Sequence, residues 1–117
     1  MHECVISAEK LKDDTDVTAK HIAKRLLDYG IHAPTVYFPL IVDEALMIEP
    51  TEVETQYMLD DMIAVYQKIS EEAYDEPEKV KSAPYSTAIR LLDEYRAAHP
   101  KTLTLSWRMH QQQEDED

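Results

Sequence analysis

The side chains able to do chemistry in this chain are five histidines, one cysteine and 24 acidic residues. His2, His21, His32, His99 and His110 form no pair at the one-turn spacing that zinc sites on helices use, so no metal site is expected. His32 precedes a short apolar run in a loop with Pro34, which leaves it a lone candidate whose behaviour depends on its partners. Glu49-Pro50-Thr51-Glu52 is different in kind, because it sits where an apolar run gives way to a helix. Backbone N–H groups at a helix start can receive an anion. The simpler reading is that Thr51 already caps them. Cys4 follows His2 by two residues, which in a strand places both on one face. A nucleophile needs a base and a third group to orient that base. None is apparent, so Cys4 reads as a buried structural cysteine. Asp60-Asp61 and Glu71-Glu72 read as solvated helix faces, His21 as a surface residue, and Met58, Met62 and Tyr66 as core.

The elements that must position these groups are legible from periodicity. His2 to Ala8 reads as a strand around Val5 and Ile6, and Lys10 to Asp14 as a polar loop. Ala19, Ile22, Ala23, Leu26 and Leu27 share one face of a helix capped by Thr15 or Asp16. Gly30 follows where a left-handed residue closes a helix, and Ile31 completes that closure. Val36-Tyr37-Phe38, stopped by Pro39, and Ala45 to Glu49, stopped by Pro50, are short strands able to pair antiparallel. Thr51 with Glu54 spells a capping box. It opens a helix from Glu52 to about Tyr74, about 34 Å long at 1.5 Å per residue. Pro77 starts a short helix. Ala88, Leu91, Leu92 and Tyr95 mark a last one, and Leu103, Leu105 and Trp107 a final strand. The expected class is α+β, a small, mainly antiparallel sheet covered by helices. The first helix could still join two parallel strands.

Composition narrows the function. The net charge is −12 over 117 residues. Glu114 to Asp117 supply −4 of it, leaving an acidic body that repels phosphate backbones, so no nucleic acid is expected. No run approaches the roughly 20 apolar residues of a membrane span. His2 and Glu3 stand where a signal peptide would be basic. With one cysteine, no disulfide forms within the chain, and a cytoplasmic setting fits. The single glycine, Gly30, excludes a Gly-rich phosphate loop.

Four motifs carry a resemblance: IAKRLLDYG (Ile22 to Gly30), HAPT (His32 to Thr35), YFPL (Tyr37 to Leu40) and MIEPTE (Met47 to Glu52). Together they resemble the C-terminal small domain of glycine decarboxylase P-proteins. YFPLIVDEAL, His2 to Ser7 and the closing RLLDEY and LTLSW are most similar to the second subunit of the two-subunit prokaryotic form. The resemblance implies the small domain of an aspartate-aminotransferase-type fold, beside a large domain that carries pyridoxal phosphate on a lysine. It implies decarboxylation of glycine and passage of the aminomethyl group to the lipoyl arm of H-protein. His32, Thr35, Glu49, Thr51 and Glu52 are then the motif residues expected to face the active site.

No lysine here sits in a cofactor-lysine motif, so neither catalytic nor cofactor-binding residues are expected in this chain. Alone it should bind no pyridoxal phosphate and be inactive. The expected partners are the large domain, subunit 1 and H-protein. Residues 1–109 would form the domain and 110–117 an acidic disordered tail. An apolar patch around Val36, Phe38, Leu40 and Ile41, left bare without the large domain, would drive self-association. Two other classes are compatible with the residues alone: a stand-alone regulatory or ligand-binding module, and an interaction domain presenting the long helix.

Overall fold

A computed structural model describes residues 2–100. Among these residues, three strands form one sheet: β1 (Cys4–Ser7), β2 (Thr35–Val36) and β3 (Ala45–Ile48). Their order is β1-β3-β2, and both pairings are antiparallel, with Val5 opposite Met47 and Val36 opposite Leu46. β1 and β2 therefore run in the same direction with β3 between them. The expected α+β class holds. Five helices lie among the described residues: α1 (Glu9–Thr15), α2 (Ala19–Asp28), α3 (Gln56–Asp75), α4 (Pro77–Lys81) and α5 (Glu94–Ala98). α2 packs on α3 and α4, and α1 on α3.

The core lies between α2, α3, α4 and β3. Val17, Leu26, Leu46, Ile69 and Val80 are its largest fully buried side chains. Leu11, Ile31, Val65 and Tyr66 pack against it. α2 supplies the central stripe, and both its ends are closed locally. Thr18 accepts the His21 N–H while His21 Nδ1 accepts the Thr18 N–H at 3.1 Å, a reciprocal capping box. Val17 and Ile22, on either side of this cap, are both buried in the core, the positions of a hydrophobic staple. At the other end Gly30 takes φ +72. Its N–H and that of Ile31 reach back to the carbonyls of Leu27 and Leu26, at 3.0 and 3.1 Å. This is the Schellman closure that Gly30 signals.

Several boundaries differ from the sequence reading. Lys10 to Asp14 is helical, within α1. Its one apolar residue, Leu11, leaves no periodicity to detect, and an i,i+4 pair from Lys10 to Asp14 (2.7 Å) supports the turn. Asp16 does not cap α2. It ends α1 at φ 62, and Thr18 is the cap. His21, expected on the surface, is half-buried in that cap. The strand at Val36 stops there because Tyr37 takes φ 59, outside the extended region.

α3 begins at Gln56, not Glu52. Thr55 is its cap, accepting the Met58 N–H at 3.2 Å. The Thr51 carbonyl instead accepts the Glu54 N–H in a preceding turn. Residues 88–92 are not helical, and Ile89, Leu91 and Leu92 are exposed. An amphipathic stripe holds a short helix only where another element covers it. The expected strand at Leu103 to Trp107 and the tail from His110 lie outside the described residues.

Candidate functional site

A cleft of about 910 Å3 opens on one side of the sheet. Three segments wall it. The first runs from the end of α2 through Tyr29 to Thr35. The second is the exit of β3, from Met47 to Thr51. The third is the face of α3 bearing Met58, Met62, Val65 and Lys68. β2 and β3 pair with Thr35 opposite Met47, which brings the HAPT and EPT motifs to one edge. His32, Thr35, Glu49 and Thr51 all line this cleft, and Glu52, the next residue on the turn, does not. All five are exposed. Among the described residues, none of their side chains is engaged in a hydrogen bond or ion pair, so they are free to meet something from outside. Met58 and Met62, expected in the core, line this cleft instead, and Met58 is 51% exposed.

Glu49 has neighbours of its own. Its carboxylate, that of Glu3 and the His2 imidazole lie within 4.8 Å of one another, all three exposed. The β1–β3 register explains this, because Cys4 pairs with Ile48 and places Glu3 beside Glu49. Cys4 itself is exposed, contrary to the expected burial. All four residues of β1 are exposed.

Behind the cleft lies a buried ionic network that the sequence reading missed. Glu72, expected on a solvated face, is only 8% exposed. It takes a two-point hydrogen bond from Arg25, with Nε at 2.8 Å and Nη2 at 3.0 Å. It also accepts the Tyr29 hydroxyl at 2.6 Å. The Arg25 guanidinium holds the Glu72 carboxyl down at about 2, against the push of burial and with help from Tyr29. Arg25 also reaches Asp28 at 2.9 Å. Burial pushes the Asp28 carboxyl up, but it accepts the N–H groups of Ser86 and Tyr85 and the bond from Arg25. The net shift is downward. The network therefore ties α2, α3 and the 85–86 loop together and fixes Tyr29 at the cleft's edge. Nothing in sequence spacing joins residue 25 to residue 72, and the only available hint is an arginine inside an apolar helical stripe.

Glu44 performs a similar task at the other end of α2. Burial pushes its carboxyl up, yet Lys12 at 2.7 Å and the Ala19 N–H at 2.8 Å hold it below the ordinary range. These buried acids are structural.

Pyridoxal phosphate needs cations or clustered N–H groups for its phosphate. Among its described lining the cleft offers one cation, Lys68, against the carboxylates of Glu49, Glu54 and Asp61. These residues do not fit a dianionic phosphate.

A small antiparallel sheet packed with helices, with a cleft lined by unengaged polar residues, defines an α+β fold. The chain belongs to the glycine dehydrogenase C-terminal domain family, whose model matches residues 1–94. It is 57% identical over 109 residues to the probable glycine dehydrogenase (decarboxylating) subunit 2 of Thermococcus gammatolerans, covering 93% of this chain and 21% of that protein. Over 98 residues it is 58% identical to the protein of the same description from Thermosipho melanesiensis, covering 84% of this chain and 20% of that one. The Staphylothermus marinus protein so described is 52% identical over 109 residues, again 93% of this chain and 21% of that protein. The chain thus spans about a fifth of the length of the curated relatives it matches. No helix among the described residues is long and apolar enough to cross a membrane.

Proposed function

We propose that this chain serves as the C-terminal domain of subunit 2 of a glycine dehydrogenase (decarboxylating), the P-protein of the cytoplasmic glycine cleavage system. The complete enzyme decarboxylates glycine using pyridoxal phosphate as the electron sink and hands the aminomethyl group to the lipoyl arm of H-protein. Its cofactor seat belongs to a part of the enzyme outside this chain, and subunit 1 is the further partner. This domain contributes a wall of the active site. His32, Thr35, Glu49 and Thr51, with Glu52 on the same turn, face the remainder of the enzyme and help position substrate. The observation that carries this reading is the meeting of the HAPT and EPT motifs at one cleft, within a chain of this family.

The test is a chimaera in which residues 1–109 replace the matching segment of the Thermococcus gammatolerans relative. It is assayed with its first subunit and lipoylated H-protein for exchange of labelled bicarbonate into glycine. The chimaera should be active, and His32→Ala or Glu49→Gln should lower the rate by about tenfold or more, a loss of at least about 1.4 kcal/mol of transition-state stabilisation. A folded, assembled chimaera without exchange, or wild-type rates in both variants, would overturn the assignment.

A further inference from the structure

Seven lysines lie among the described residues, and six of them are ion-paired to a carboxylate. Lys10 pairs with Asp14 and Lys12 with Glu44. Lys20 and Lys24 share Glu94. Lys79 joins Arg25 on Glu72, and Lys81 pairs with Asp16. Lys68 has no such partner, in a chain whose net charge is −12. Glu71 stands three residues further along the same helix, a spacing at which pairs form readily, and is not used. The Lys68 ammonium instead lies 5.0 Å from the centre of the Tyr29 ring, on the lining of the cleft.

Tyr29 is a fixed platform. Its hydroxyl is anchored on buried Glu72, which Arg25 holds from behind. A cation over an aromatic face is attracted by the ring but keeps its capacity for an anion. Beside it the cleft carries the apolar side chains of Ile31, Pro34, Met58, Met62 and Val65, while the carboxylates of Glu49, Glu54 and Asp61 stand elsewhere on the lining without pairing with Lys68. The relatives carry about four times as much chain again beyond the segment matched here.

We propose that Lys68 is the docking cation of this face. Its ammonium receives an Asp or Glu side chain from the part of the enzyme outside this chain, which covers the apolar cleft wall. This rests on the reading of the chain as one domain of a longer subunit. Covering the cleft removes water from the pair and strengthens it well beyond an exposed salt bridge. It also sets the distance between the covering part and His32, Thr35 and Glu49.

A zero-length carbodiimide cross-link tests the contact directly, because it joins an amine only to a carboxylate in contact with it. In the chimaera, Lys68 should couple to an Asp or Glu outside this chain, and Lys68→Arg should abolish that product while leaving the Lys10–Asp14 product as an internal control. Coupling only to Glu71, or no coupling at Lys68 while the control forms, would overturn the proposal. Loss of the Lys68 product on saturation with glycine would also overturn it, since the anion received would then be that of a small ligand. An active chimaera without the cross-link refutes the docking role alone. An inactive chimaera that shows it refutes the glycine dehydrogenase reading alone.

Discussion

Replacing Glu72 by Gln removes one charge from the buried pair with Arg25 and keeps the shape of the side chain. The carboxyl sits at about 2 in the folded chain, against an ordinary 4.5. That difference corresponds to about 3 kcal/mol favouring the folded state when the group is ionised. Removing one partner of a buried pair typically costs about 3–5 kcal/mol. Arg25 keeps Asp28 at 2.9 Å, which places Glu72→Gln at the low end, about 3 kcal/mol. The folded value is depressed, so this stabilisation is complete above the unfolded value of about 4.5 and is lost as pH falls toward 2. Urea melts of wild type and Glu72→Gln should therefore differ by about 3 kcal/mol at pH 7. The gap should fall to about half or less by pH 3. A gap that stays constant over this range would mean that Glu72 acts through packing rather than charge. No gap at pH 7 would refute the network as drawn.

Thr55→Ala should cost about 1 kcal/mol in the same melts, because Thr55 caps α3. Thr51→Ala should be nearly neutral, and the reverse order would restore the helix start expected at Glu52. Gly30→Ala should cost about 1–2 kcal/mol, read as a lowered urea midpoint. Among the described residues, nothing beyond its two chain neighbours lies within 4 Å of the added Cβ, so the cost is that of the backbone at φ +72. Gly30→Val should cost more, since its branched side chain is still less compatible with that conformation. Leu40 and Ile41 are 85% and 94% exposed, and the isolated chain should self-associate through them at high concentration in moderate salt. Sedimentation of Leu40→Asp with Ile41→Asp should show a monomer, and unchanged association would place the contact elsewhere.

Some features were set by neighbours in sequence and so were legible in it. Gly30 after an apolar helical stripe closes α2 because the bonds involved span only a few residues. Pro77 opens α4 because a ring without an N–H suits a first helical turn. The family, too, was legible, because HAPT and EPTE are local strings. The capping-box pattern puts the start of α3 at Thr51, and a local turn closed by the Glu54 N–H on the Thr51 carbonyl leaves the cap to Thr55 instead. Other features were decided only when distant segments met. Leu91 and Leu92 had helical spacing, but a stripe folds as a helix only against a partner face. Glu72 looked solvated until α3 laid it against Arg25, and Met58 looked buried until the same packing left it on the cleft. Periodicity reports which residues share a face of one element. Which faces meet, and hence which charge is buried and which motif shares a cleft with another, depends on packing between elements far apart in the chain.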